Sequence, residues 1–250
     1  MSQPHGAITA DHFDAVLFDL DGVITSTARI HSTCWKTMFD EYLTRRAKER
    51  NEPFRPFEIE TDYIQYVDGK PRYEGVRSFL ASRNISLPEG TVEDPPTAQT
   101  VCGLGNRKDE LVKAAIARGE VESYPSSITL VRQLRDQGIR TAVVSSSKNC
   151  VPVLKAAGIE DLFEARVDGV VSAQLKLPGK PKPDTFLKAA EMLGVSPDRA
   201  VVVEDAIAGV QSGRAGGFGL VVGVDREGAG DALRANGADI VVTDLGELLA

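Results

Sequence analysis

Cysteine is scarce: Cys34, Cys102 and Cys150 are the three in 250 residues, far apart and in no C-x-x-C pair. That excludes a disulfide scaffold and points to a reducing, cytoplasmic setting. Histidine is as rare, and His5, His12 and His31 are scattered, which disfavours a zinc centre. No apolar run approaches the ~20 residues that span a bilayer, so no membrane partner is expected. The stretch Met1 to Asp11 has neither a basic flank nor an apolar core and does not read as a signal peptide. Basic charge is in deficit, 29 Lys and Arg against 36 Asp and Glu, for a net charge of −7. A nucleic-acid partner needs clustered cations and is not expected. Several motifs are absent too. Gly103-x-Gly105 lacks a third glycine and a preceding strand. Gly69-Lys70 and Gly179-Lys180 lack the rest of a phosphate loop, and there is no G-x-S-x-G. A 42% hydrophobic and 26% charged composition then leaves a soluble globular chain, expected to be a monomer, of a length that supports a real core.

The pattern along the chain has three textures. Residues 14–18 form a short apolar run that fits a buried strand, stopped by Asp19-Leu20-Asp21-Gly22. From about Thr27 to Val121, helical spacing prevails: Trp35, Met38, Phe39, Tyr42 and Leu43, then Val76, Phe79 and Leu80. From Tyr124 onward strands and helices alternate. Helices are predicted over Ser126–Gln137 with a serine cap, Asn149–Ala157 and Pro183–Leu193. Strands are predicted over Ile139–Val144, Ala200–Val203, Phe218–Val224 and Ala238–Val242. Such alternation means a parallel sheet covered on both faces. The first strand finds partners only in the C-terminal part. The expected architecture is therefore an α/β, doubly wound parallel sheet from residues 1–26 and 122–250, interrupted by an α-helical cap over 27–121.

Asp19 and Asp21 stand at the end of the first strand. With 19 aspartates in the chain, about one D-x-D pair is expected by chance, and a solvated turn is the plain alternative. Ser145-Ser146-Ser147-Lys148-Asn149 and Glu204-Asp205 directly follow two further strands. In an open α/β sheet, ligands bind outside the carboxyl ends of the strands, so these groups should converge. Taken singly, the serines read as a helix cap and Glu204-Asp205 as an acidic first turn. Four carboxylates (Asp19, Asp21, Glu204, Asp205) close together repel by several kcal/mol per pair and call for a cation. Oxygen-only donors favour Mg²⁺. Lys180, stiffened by Pro181 and Pro183, is a candidate for holding a phosphate, with an ordinary surface-loop lysine as the alternative. This set can transfer a phosphoryl group: Asp19 as nucleophile, Asp21 as proton donor and acceptor, Lys180 and the Ser145 hydroxyl stabilising the moving charge.

Phe18-Asp19-Leu20-Asp21-Gly22-Val23-Ile24-Thr25, Ser145 with Lys148-Asn149, Lys180-Pro181-x-Pro183-Asp184 and Glu204-Asp205 resemble the four ordered motifs of the haloacid dehalogenase superfamily. The helical insert after the first motif resembles the β-phosphoglucomutase-like subfamily. The resemblance implies a Mg²⁺-dependent phosphosugar mutase that interconverts β-D-glucose 1-phosphate and glucose 6-phosphate through an aspartyl-phosphate and a bisphosphate. It places Ser145, Ser146, Lys148, Asn149 and Lys180 on the phosphate, Thr27 and His31 at the hinge, and Trp35, Gly69, Arg72 and Lys108 in the cap's substrate contacts. Arg72 would hold the distal phosphate; for Arg72, Arg107 and Lys108 a solvated helix face is the alternative. Two departures bear on the substrate: Ser26 stands where relatives often have Asp, and the cap is lengthened around Thr44–Pro56 and Leu87–Ala98. A phosphatase of a small phosphorylated sugar or metabolite shares the same core, and a non-catalytic phosphosugar-binding protein is the remote alternative.

Overall fold

The structure, a computed structural model, describes residues 8–226 and 228–249; His5 and most of the leading segment lie outside them. The chain falls into two compact units, one from Met1–Ser26 with Val121–Ala250, the other from Thr27–Glu120.

The first unit is built on a six-stranded parallel sheet: β1 (Ala15–Phe18), β2 (Arg140–Val144), β3 (Ala165–Val167), β4 (Ala200–Glu204), β5 (Leu220–Val224) and β6 (Ile240–Val242). Their order is β3-β2-β1-β4-β5-β6, the doubly wound arrangement. Val16 pairs with both Thr141 and Val201, so β1 lies at the centre, where every one of its side chains is inaccessible. That explains a strand without polar alternation: it is covered on both faces. Ala15, Leu17, Ala142, Val144, Ala200 and Val202 share one face and pack under Phe186, Ala189, Ala190 and Leu193. Those four come from the helix Asp184–Leu193.

The structure corrects several expectations. The helix expected at Ser126 with a serine cap runs over Pro125–Asp136, with proline in its first turn and no side-chain cap. Ser126 Oγ donates instead to Asp244, and Ser127 Oγ to the Val23 carbonyl at 2.7 Å. Strand β3 and the helix Gly169–Leu175 are additions to the expected elements. The strand has three residues, and no residue of that helix is fully buried, so neither leaves a clear hydrophobic period.

The second unit is helical, with Ala28–Arg50, a π-helical stretch Ile59–Val67, Arg72–Ser82 and Val101–Ala117. The first of these runs through Arg50, so half of the lengthened segment at Thr44–Pro56 is helix rather than loop. Its core is aromatic: Phe39 lies 4.2 Å from Phe79 and 5.1 Å from Phe57, ring centre to ring centre. Among the described residues no helix is long and apolar enough to cross a membrane.

Candidate active site

Asp19 is the first residue past β1, and its N–H still donates to the Val203 carbonyl at 2.9 Å. The ladder with β4 therefore fixes Asp19 beside Glu204, at the strand edge where the sheet's winding reverses. Lys180 comes from the link before the helix Asp184–Leu193, which contains a cis Lys180–Pro181 peptide. Its side chain is 1% exposed, which overturns the surface-loop alternative. Its ammonium donates to Asp19 Oδ1 at 2.5 Å and to Glu204 Oε1, and lies 4.9 Å from the centre of the Phe186 ring. Burial opposes this ammonium, but Asp19 and Glu204 outweigh it and its pKa is raised. Burial pushes the Asp19 carboxyl above the ordinary aspartate range. Lys180 pulls it back, and Glu204 and Asp21 push it further up.

Asp19, Glu204 and Asp205 each offer a carboxylate oxygen within 4.8 Å of the others. Three hard oxygen donors and no nitrogen or sulfur fit a cation such as Mg²⁺. Asp21, expected as a fourth ligand, is not part of this group. Its Oδ2 lies 3.4 Å from the Ser145 hydroxyl, because its backbone has already entered a turn that bridges to Thr25. Glu204 is oriented from both sides, since Oε2 accepts the Ala206 N–H at 3.1 Å. Gly209 lies in the helix Ile207–Ala215, and a Cβ on it would fall inside the Glu204 carboxylate, so this helix can approach the site only through glycine.

Ser145 is buried at the end of β2, tied to β3 by its N–H to the Val167 carbonyl at 3.0 Å. The serines do not cap a helix in the expected way. Ser145 Oγ accepts the Ser147 N–H and Ser147 Oγ accepts the Asn149 N–H, both at 3.1 Å, which coils the loop at the strand end. Asn149 is buried, Ser146 half-buried and Lys148 exposed. A Cβ on Gly169 would stand 2.8 Å from the Ser146 carbonyl oxygen, so glycine lets the two loops touch. Sequence reasoning missed Gly169, Gly209 and Asp168, the last a buried strand-end carboxylate that accepts the Val170 and Val171 N–H groups at 2.9 Å.

The remaining predicted residues belong to the second unit. Thr27 is buried and precedes the first helix, its carbonyl accepting the His31 N–H at 2.9 Å. Lys108 is 6% exposed; its Nζ lies 2.7 Å from His31 Nδ1 and 5.1 Å from the centre of the Trp35 ring. The solvated-face alternative therefore fails for Lys108. Trp35 is a core residue, stacked on Phe39 at 5.4 Å. Gly69 takes φ 68° in the turn before Arg72, a conformation that favours glycine. Arg72 donates to Asp109 Oδ1 at 2.6 Å, and Arg107 pairs with Glu41 at 2.9 Å.

Comparison with known proteins agrees with this geometry. The family model of haloacid dehalogenase-like hydrolases matches residues 13–217. A Mycobacterium bovis protein named beta-phosphoglucomutase is 50% identical over 94% of this chain and 91% of its own. A Bacillus subtilis protein of the same name is 33% identical, again over 94% and 91%. The crystal structure of a Clostridium difficile beta-phosphoglucomutase is 25% identical, with a TM-score of 0.72 over 94% of this chain and 93% of that one. A doubly wound core, three converging carboxylates of which two meet a buried lysine, and this degree of identity lead to one conclusion: the chain is an enzyme of the haloacid dehalogenase family, in its β-phosphoglucomutase-like branch.

Proposed function

We propose that the protein is a Mg²⁺-dependent phosphosugar mutase interconverting β-D-glucose 1-phosphate and glucose 6-phosphate. The observation that carries phosphoryl transfer is the buried Lys180 ammonium between Asp19 and Glu204, with Asp205 beside them. The choice of a mutase within the family is supported by 50% identity to a protein of that name. Asp19 attacks phosphorus and forms an acyl phosphate, splitting one displacement into two. Asp21, next to Ser145, gives a proton to the leaving sugar oxygen and takes one from the incoming hydroxyl. Lys180 holds Asp19 in place and offsets charge on the transferring group. Asp19, Glu204 and Asp205 would hold the divalent cation, which supplies further neutralisation of that charge. A mutase must also grip a second phosphate. Arg72, held by Asp109, and Lys108 are the candidates for it.

The test is a single incubation of purified protein with β-glucose 1-phosphate, Mg²⁺ and a trace of glucose 1,6-bisphosphate. Glucose 6-phosphate should accumulate with little inorganic phosphate, and Asp19→Ala should abolish it. Steady phosphate release without glucose 6-phosphate would replace the mutase by a phosphatase, which the same core can serve. Turnover in Asp19→Ala would remove the nucleophile assignment altogether.

A further inference from the structure

Asp21 opens a tight loop that closes on itself. The Gly22 N–H donates to the Thr25 carbonyl at 2.7 Å, and the Ile24 and Thr25 N–H groups both donate to the Leu20 carbonyl, at 3.0 and 2.9 Å. Bonds of this kind fix the loop's shape but not how it is seated on the sheet. Gly22 takes φ 89°, where glycine is conformationally soft, so the orientation of the Gly22–Val23 peptide is set by ties from outside the loop, one of them the Ser127 hydroxyl on the Val23 carbonyl at 2.7 Å.

Arg226 supplies such a tie from 204 residues away, two positions past β5: its Nε donates to the Gly22 carbonyl at 3.1 Å. The guanidinium is itself held on three sides. Its Cζ lies 3.8 Å from the centre of the Tyr124 ring, and its NH1 group donates to the Thr243 carbonyl and to Asp244 Oδ2, both at 3.1 Å. Asp244 is anchored in turn, accepting Ser126 Oγ at 2.8 Å and the Gly246 N–H at 2.7 Å. Tyr124 closes the ring of contacts by donating its N–H to the Ile24 carbonyl at 2.9 Å. The Arg226–Asp244 ion pair is half-exposed on its acidic side and is worth little as stability alone. What the array fixes is the carbonyl of Gly22, the residue that follows Asp21.

We infer that Arg226 is a positioning residue for proton transfer, holding the Asp21 carboxyl in register through the Gly22 carbonyl. This rests on Asp21 being the acid and base of the proposed reaction. In that step a bond forms between an Asp19 carboxylate oxygen and phosphorus while the bond from phosphorus to the sugar oxygen breaks. The electron pair of the broken bond stays on the sugar oxygen, which takes the proton from Asp21. A misplaced Asp21 slows transfer from a poor leaving group such as a sugar alkoxide and spares one that leaves without a proton.

The experiment compares Arg226→Ala, Arg226→Lys and Asp21→Asn with wild type on two substrates. One is β-glucose 1-phosphate, read as turnover; the other is p-nitrophenyl phosphate, read as the first-turnover burst of nitrophenolate. Since a positioned general acid contributes roughly 10²–10⁴-fold, Arg226→Ala should lose about 10–100-fold with the sugar phosphate. With the aryl phosphate the same variant should stay within about threefold, because that leaving group needs no acid. Arg226→Lys, which keeps a donor in place, should recover part of the loss and retain the same selectivity, and it carries the test if the alanine variant does not fold. Equal losses on both substrates, or unchanged sugar turnover, overturn the inference when Asp21→Asn does discriminate between them. If Asp21→Asn itself fails to discriminate, the acid–base assignment falls, and the role of Arg226 falls with it.

Discussion

Replacing Lys180 by methionine keeps most of the side chain's volume and removes its charge from between two buried carboxylates. In the native structure the side chains of Lys180 and Glu204 are each 1% exposed and that of Asp19 is 10% exposed. Deleting one partner of a buried ion pair costs about 3–5 kcal/mol, because the charge left behind has neither water nor a counter-ion. For a chain of this size about 1 kcal/mol corresponds to 2–4 °C, so the melting temperature should fall by roughly 6–20 °C. The pH dependence has a definite sign. Burial already pushes Asp19 up, and without the ammonium to pull it back it titrates further above its unfolded value of about 4. A folded-state pKa above the unfolded one means stability that is complete below the unfolded pKa and lost as pH rises through the folded one. The deficit of Lys180→Met should therefore be small near pH 4 and grow toward neutrality.

Thermal melts of both proteins from pH 4 to 8, in a chelator so that no bound cation replaces the ammonium, read the effect. Circular dichroism is the suitable probe, because the single tryptophan, Trp35, belongs to the other unit. A deficit below about 1 kcal/mol at pH 7, or one independent of pH, would refute the claim that Lys180 neutralises this pair.

Gly209→Ala places a methyl group within the Glu204 carboxylate. Overpacking of this kind costs about 1–3 kcal/mol, and turnover should drop at least about 100-fold as Glu204 is displaced from Lys180. Wild-type turnover in the purified variant would show that Glu204 does not need its observed position. Burial raises the thiol pKa of Cys34, Cys102 and Cys150 alike, and all three are free and buried. A thiol reagent at pH 8 should label none of them in the native protein and all of them in urea; rapid native labelling of Cys150 would contradict its burial at the end of the serine loop.

Much of this fold can be read from apolar runs alone. Val201-Val202-Val203 and Val221-Val222 are assignable as strands because a parallel sheet buries both faces and leaves no polar alternation. Strand β3 is not: Glu164, Arg166 and Asp168 interrupt Ala165 and Val167, the outer position in the sheet leaves Glu164 exposed and Arg166 half-buried, and Asp168 is buried as the cap of the next helix. The helix at Pro125 starts one residue before the serine that marks it in the sequence, since Ser126 has the chemistry of a cap and its hydroxyl is instead bound to Asp244, 118 residues away. Local propensity carries no information about a partner that distant.

The candidate site divides along the same line. Asp19, Ser145, Glu204 and Asp205 are legible because each stands at or directly after a strand's end, and parallel strands deliver their carboxyl-terminal neighbours to one edge. Lys180 is only half legible. Its sequence offers a stiff proline-flanked segment, but its burial against Asp19 and Glu204 depends on where the link before the helix Asp184–Leu193 crosses the sheet. Gly209 and Arg226 are not legible at all. Glycine inside a helix reads as a weak helix former, while its role is to leave room for a carboxylate. An arginine after a strand reads as a solvated charge, while its guanidinium meets a backbone carbonyl at the other end of the chain. Residues that bear chemistry are betrayed by type and position; residues that hold them in place act through proximity, and that requires the folded coordinates.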